Sequence, residues 1–168
     1  MKRHILMLLA TALLPVLAMA APDFSGLWVR DNAKSDTVPN SMYWLTRGVD
    51  AGGARGPGAA EILLTVKQDA KSLQATLGPG ALREYMLDGK VQTKSTDTGI
   101  EKAAITASLQ GDTLVIATTQ PYGGMPGNST LQVKEVWSLS PDGKVLTITT
   151  TRDVPATKQT FKEIYTRK

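Results

Sequence analysis

Two short motifs in the second half of the chain each place a carboxylate two residues before an aromatic side chain. The motif KEVW contains Glu135 and Trp137, and the motif KEIY contains Glu163 and Tyr165. Residues two apart on a β-strand lie on the same face, so each carboxylate would share the surroundings of its aromatic neighbour. Apolar surroundings raise the pKa of a carboxyl group and suit it to act as an acid, and two such groups about 5–9 Å apart would suit glycoside hydrolysis.

Ion pairing is the stronger interpretation of these carboxylates. Barrel interiors often hold Glu–Arg pairs, and Arg30, Arg152 and Arg167 are the candidate partners. The chain has no Cys, and its single His, His4, lies in an N-terminal leader, so the mature protein has neither a thiol nucleophile, a Ser-His-Asp triad nor a His-ligated zinc. We therefore expect no catalytic residue, no cofactor and no metal site, and an enzyme is the function that we rank last.

Residues 1–20 have the pattern of a cleaved secretory signal. A basic start precedes an apolar run from Ile5 to Leu17, and small residues stand at Ala18 and Ala20. The run is too short for a comfortable membrane span. We expect cleavage near Ala20, a single mature domain over 21–168, and a periplasmic or secreted bacterial protein.

The mature chain is nearly neutral. Its formal net charge falls from +4 to +2 when Lys2 and Arg3 leave with the leader. This charge is not the clustered basic patch of a nucleic-acid-binding protein. No later stretch approaches the ~18 apolar residues of a transmembrane helix. We expect neither a nucleic-acid partner nor a transmembrane segment, and the sequence identifies no protein partner.

From residue 61 onward, short β-rich runs alternate with turn signals such as Asp88-Gly89 and Asp142-Gly143. Glycine supplies the positive φ that tight hairpins need. No segment shows a helical repeat of about 11 residues or more. With an opening strand over Phe24–Arg30, the pattern predicts an all-β, antiparallel up-and-down meander of about 8–10 strands. Closure removes the exposed edges of a meander, so we favour a closed or nearly closed barrel over a β-sandwich.

Alternation along the strands predicts which side chains share a face. The sets are Phe24, Gly26, Trp28 and Arg30 on the first strand; Leu82, Glu84 and Met86 on the run Leu82–Leu87; Leu131, Val133, Glu135, Trp137 and Leu139 on the run Leu131–Leu139; and Phe161, Glu163, Tyr165 and Arg167 on the last strand.

The opening strand carries a resemblance. Its sequence FSGLW, Phe24 to Trp28, is similar to the F-x-G-x-W start of the calycin barrels, which include the lipocalins and fatty-acid-binding proteins. Together with WSLSPDGKVLTITTT near the end, it resembles the small exported lipocalin-like proteins of bacteria. The resemblance implies that Gly26 and Trp28 help to close the bottom of the barrel, with Trp28 stacked on a late cation. Arg167 matches that cation, and Arg152 is the other candidate.

Residues 32–60 are predicted to form a long Gly- and Pro-rich loop whose only apolar cluster is Met42–Leu45. Long loops in compact domains are usually functional or disordered. The cluster would either plug the barrel end or serve as the portal of a ligand site. In the second case, Tyr43 and Trp44 would contact an apolar chain while keeping a polar edge wet.

The leading hypothesis is an exported lipocalin-like barrel that binds a small apolar or amphipathic ligand. Trp137 and Tyr165 would line its interior, and Glu135 or Glu163 would orient a polar head group. The alternative is a non-catalytic envelope protein, structural or interacting, that acts through its loops.

Deleting Gly52–Gly58 should change the free energy of unfolding by less than about 1 kcal/mol, because shortening a flexible loop alters its closure entropy only slowly. Urea unfolding of the deletion variant and the parent protein measures this difference. A large loss of stability would show that the segment is packed.

Overall fold

The structure is a computed structural model that describes residues 21–39, 61–78, 80–95, 102–121, 130–154 and 157–168. These residues form ten strands: β1 (Gly26–Arg30), β2 (Leu63–Gln68), β3 (Ser72–Leu77), β4 (Arg83–Met86), β5 (Gln92–Ser95), β6 (Lys102–Gln110), β7 (Thr113–Pro121), β8 (Thr130–Leu139), β9 (Val145–Val154) and β10 (Thr157–Arg167). Across the described ranges no helix is present, so none there is long and apolar enough to span a membrane. The all-β prediction is confirmed.

The ten strands belong to one antiparallel sheet in the order β4-β3-β2-β1-β10-β9-β8-β7-β6-β5. Consecutive strands pair throughout, except that β4 and β5 lie at opposite ends of the order. The pairing of β1 with β10 joins the two ends of the chain. The predicted meander in a nearly closed barrel is therefore confirmed, rather than a β-sandwich.

Three residue pairs join β1 to β10: Trp28 to Arg167, Val29 to Thr166 and Arg30 to Tyr165. The contact continues beyond β1. The Asp36 N–H donates to the Lys162 carbonyl at 2.8 Å, and the Ile164 N–H donates to Ser35 Oγ at 2.8 Å. The residues after β1 thus extend the junction with β10 by side-chain and backbone bonds together.

One end of the barrel is closed by Trp28 and Arg167. The Arg167 guanidinium carbon lies 4.4 Å from the centroid of the Trp28 ring, and Nη1 donates to the Ser25 carbonyl at 2.7 Å. Gly26 has a φ of 146°, and a Cβ at this position would lie 3.0 Å from Arg167 Nη1. Glycine is therefore required both by the backbone conformation and by the close approach of the arginine.

The predicted hairpin across Asp88-Gly89 is wrong, because β4 and β5 share no ladder and leave a seam in the barrel wall. The connection between them binds β6 instead. Asp88 forms an isolated bridge with Ser108, and the Gly89 N–H donates to the Ala107 carbonyl at 3.0 Å.

Two side chains of β5 span the seam where a ladder would otherwise lie. Gln92 Nε2 donates to the Met86 carbonyl at 3.2 Å, and Lys94 Nζ donates to the Glu84 carbonyl. The ammonium of Lys94 also lies 5.6 Å from the centroid of the Tyr85 ring. Burial lowers the pKa of Lys94, an effect that Glu84 opposes.

Burial along the strands shows which predicted faces point inwards. Phe24, Trp28 and Arg30 are buried, as are the inward residues Leu131, Val133, Glu135 and Trp137 on β8 and Glu163 and Tyr165 on β10. The prediction fails on β4, where Leu82, Glu84 and Met86 are exposed and Tyr85 is the buried residue. Alternation of side chains along a strand defines two faces without saying which one is buried. On β4, the face that contains Tyr85 packs against the core.

Replacing Trp28 by Ala should lower the free energy of unfolding by about 3–5 kcal/mol, because it empties a fully buried site and removes the surface on which Arg167 stacks. Leu27→Ala is the matched control, since Leu27 is the next residue on β1 but is 36% exposed. Urea unfolding measures both variants. A Trp28→Ala midpoint equal to that of the parent would contradict the role of this end in closing the barrel.

Candidate functional site

On three strands, the inward side chains become more exposed with distance from the Trp28 end. On β10, Tyr165 is fully buried whereas Phe161 and Gln159 are half-buried, and on β9, Leu146 is fully buried whereas Arg152 is half-buried. The same rise occurs on β7 from Leu114 to Thr118, whereas Ile105 on β6 and Leu131 on β8 stay buried. The barrel is sealed at the Trp28 end and more accessible towards the other.

Large apolar side chains fill the sealed end. Phe24 packs edge-on against Trp137, with ring centroids 6.2 Å apart and an interplanar angle of 84°. Trp28 Nε1 donates to the Phe24 carbonyl at 3.0 Å, so the indole N–H is satisfied inside the core. This packing leaves the middle and the far end of the barrel as the region that could hold a ligand.

A buried polar centre lies next to this packing. Arg30 Nε donates to Glu163 Oε1 at 3.1 Å, and the Tyr165 hydroxyl donates to the same oxygen at 3.0 Å. Arg30 Nη1 donates to Asn32 Oδ1 at 2.7 Å and Nη2 to the Asp36 carbonyl at 2.6 Å. The side chain of Arg30 has no exposed surface and that of Glu163 is 4% exposed.

These contacts assign Glu163 an ion-pairing role. One of its oxygens accepts bonds from both a guanidinium and a phenol, which organises Arg30 and Tyr165 around it. A buried carboxylate held in this way stabilises the fold only while its partner is present. The carboxylate of the KEIY motif, Glu163, is therefore the anionic partner in a salt bridge with Arg30 rather than a general acid.

A second polar set lies further along the interior. Glu135 is 3% exposed and stands opposite Thr150, which is itself 4% exposed and stands opposite Phe161. Arg152 lies two residues beyond Thr150 on the same face, diagonal to Glu135, a placement that long side chains can bridge. Arg152 Nη1 also donates to Gln159 Oε1 at 3.4 Å.

The inward residues beyond Glu135 and Thr150 are aliphatic or polar. They are Ala103 and Ile105 on β6, Thr118 on β7, Val133 on β8, and Arg152 and Gln159 on the strands that follow. Aromatic rings of the size of Trp28 and Trp137 do not occur among them. Side chains of this size each fill less of the barrel than the rings of the sealed end.

The predicted ligand-contacting residues divide into three groups. Glu135, Glu163, Trp137 and Tyr165 all face the interior, but Trp137 and Tyr165 belong to the sealed part rather than to the accessible one. Tyr43 and Trp44 lie outside the described residues. Sequence reasoning missed Thr150 and Asn32, since nothing in their neighbourhood distinguishes them from the many surface Thr and Asn residues.

Over the described ranges, no cluster of acidic side chains could hold a metal ion.

No protein-family model matches the sequence, and no curated protein does. Five solved chains match the fold. They include zebrafish ileal bile-acid-binding protein complexed with cholic acid, with a TM-score of 0.52 and 15% identity over 86% of this chain and 98% of that one. A secretory abundant heat soluble protein from Ramazzottius varieornatus has a TM-score of 0.51 and 11% identity, over 89% and 98%. Echinococcus granulosus fatty-acid-binding protein 1 has a TM-score of 0.47 and 14% identity, over 86% and 96%.

The fold is therefore that of a calycin-type barrel. The similarity spans nearly the whole of each matched chain, and it accords with the ten-stranded meander closed through β1 and β10. At these levels of identity, it is the fold that is shared.

Removing one member of the Arg30–Glu163 pair should cost about 3–5 kcal/mol, because the other charge is left buried and uncompensated. Arg30→Met and Glu163→Leu should each show this loss, while the double variant should lose much less than the sum. Urea unfolding of the four proteins measures the coupling.

Glu61→Gln provides the control for charge removal, since Glu61 pairs with Lys168 at 3.6 Å on the surface. This variant should lower the free energy of unfolding by about 1 kcal/mol or less. Additive losses in the Arg30–Glu163 cycle would contradict the buried pair.

Proposed function

We propose that this protein is an exported binding protein that holds one small amphipathic molecule inside its barrel. The observation that carries the proposal is the gradient of exposure along β9 and β10, which runs from a sealed aromatic end to half-buried Phe161, Arg152 and Gln159. A binding site for small molecules is typically an apolar concavity with a few fixed polar groups, and this interior combines both features.

The apolar part of the ligand would lie against Val133, Ile105, Ile116 and Phe161, whose side chains face the interior. Its polar group would lie near Thr150 and Glu135. The sealed end would set the depth of entry, since the rings of Trp28, Trp137 and Phe24 occupy the bottom.

Two further observations support the proposal. The zebrafish protein of the same fold is described as a bile-acid-binding protein complexed with cholic acid, so this fold is compatible with the binding of a small molecule. The signal-like segment over 1–20 supports export, because it combines a basic start, an apolar run and small residues before Ala21.

Titration with amphiphiles should change the tryptophan emission in a saturable manner with one ligand per chain. Burying a ten-carbon chain is worth about 8 kcal/mol at about 0.8 kcal/mol per CH₂. After the smallest cost of association, about 4 kcal/mol, about 4 kcal/mol remains, and we expect a Kd of about 1 mM. Isothermal titration calorimetry on the same samples gives the stoichiometry without relying on a fluorophore.

Variants assign the signal to a region of the barrel. Trp137→Phe should reduce an emission change that arises in the interior, and Trp44→Phe one that arises in the loop predicted to be a portal. Leu27→Ala, on the outer face of β1, is the control and should bind normally. Absence of both heat and emission change at about 1 mM amphiphile would contradict the proposal, and the interaction-protein alternative would then lead.

A further inference from the structure

We infer that the ligand's polar group, where it meets the centre of the barrel, is an uncharged hydroxyl-type group rather than a carboxylate. The inference rests on the proposed function and specifies the chemical class of the ligand. It follows from the way in which the interior charges are already paired and from the hydrogen-bonding groups that face the accessible space.

The most deeply buried cation already donates from each of its nitrogens. Each of the three nitrogens of Arg30 donates a hydrogen bond within the protein, to Glu163, Asn32 and the Asp36 carbonyl. Its side chain has no exposed surface. A carboxylate that sought this guanidinium would have to displace a buried ion pair, which would leave Glu163 without its partner.

The charges of the centre also balance. Arg30 and Arg152 face Glu163 and Glu135, and these four side chains lie on the four consecutive strands β1, β10, β9 and β8. An anionic head group placed here would add a negative charge beside two carboxylates. Burying an unbalanced charge is costly, whereas a hydroxyl needs only a donor and an acceptor.

Two other inward cations lie on the opposite wall. Arg83 on β4 and Lys94 on β5 flank the seam, while β10 and β9 are the middle strands of the sheet order. Lys94 already donates to the Glu84 carbonyl and lies over the Tyr85 ring, and burial disfavours its charge. The seam therefore does not provide the centre with a counter-ion.

The groups at the centre suit a hydroxyl. Thr150 lies between Glu135 and Phe161 in the cross-strand order, so a polar and an apolar side chain flank the same position. A ligand hydroxyl can donate to a carboxylate oxygen and accept from a hydroxyl or a guanidinium, while its chain contacts Phe161. An alkyl alcohol or the glycerol end of a monoacylglycerol has this chemistry.

A head-group series at one chain length tests the inference. Decanol, decanoate and decylammonium are titrated into the mature protein by calorimetry at neutral pH. Decanol should bind at least about tenfold more tightly than either ion, since tenfold is only about 1.4 kcal/mol and burying an unbalanced charge costs more than that.

Glu135→Gln tests the role of charge balance. Loss of one interior carboxylate leaves the centre with a net positive charge, so the preference for decanol over decanoate, taken as the ratio of their affinities, should fall about tenfold. Glu84→Gln removes the same charge from an exposed position and should leave both affinities as they were. Melting curves establish that the variants are folded. The titration of the three head groups into the unmodified protein tests the inference independently of the variants.

Decanoate or decylammonium binding as tightly as decanol would overturn the inference while leaving the proposed function standing. Decanoate binding that is abolished by Lys94→Gln would overturn it too, and would place an anion site at the seam. If none of the three probes binds, the proposed function itself fails.

Discussion

The junction of the first and last strands is the constraint on which the rest of the barrel depends. A meander of ten strands closes here only because β1, at one end of the sequence, pairs with β10 at the other. Three residue pairs form the ladder between β1 and β10, and side-chain contacts around it add to these backbone bonds. Trp28 and Arg167 stack at the sealed end, Arg30 and Glu163 pair inside, and Ser35 and Asp36 bind the outside of β10.

The same junction shapes the candidate site. Because Arg30 and Glu163 neutralise each other across it, they can be buried in a core that would reject either one alone. The position opposite the junction is the seam, where Gln92 and Lys94 side chains replace a ladder. The strands at the junction therefore carry the buried Arg30–Glu163 pair, whereas the strands at the seam are held together by side chains and carry neither member of this pair.

Much of the strand pattern could be predicted from the sequence, because alternation and turn residues act locally. The face formed by Phe24, Trp28 and Arg30 follows from their spacing alone. Alternation could not show that Tyr85 rather than Glu84 faces inwards, since it defines two faces without saying which is buried. The sequence offered three candidate partners for Glu163 and could not choose among them, because Arg30 lies 133 residues away and only the register of β1 with β10 brings the two together.

Native mass spectrometry of the mature protein, purified from the organism that produces it, tests the central claim most directly. The account predicts a folded species whose mass exceeds that of the chain from about Ala21 by one small molecule. That molecule should be released by collisional activation and should be recovered in organic solvent as an uncharged, hydroxyl-bearing amphiphile. A folded species with the mass of the chain alone, under conditions that keep a lipid bound to a reference carrier of the same fold, would contradict the account.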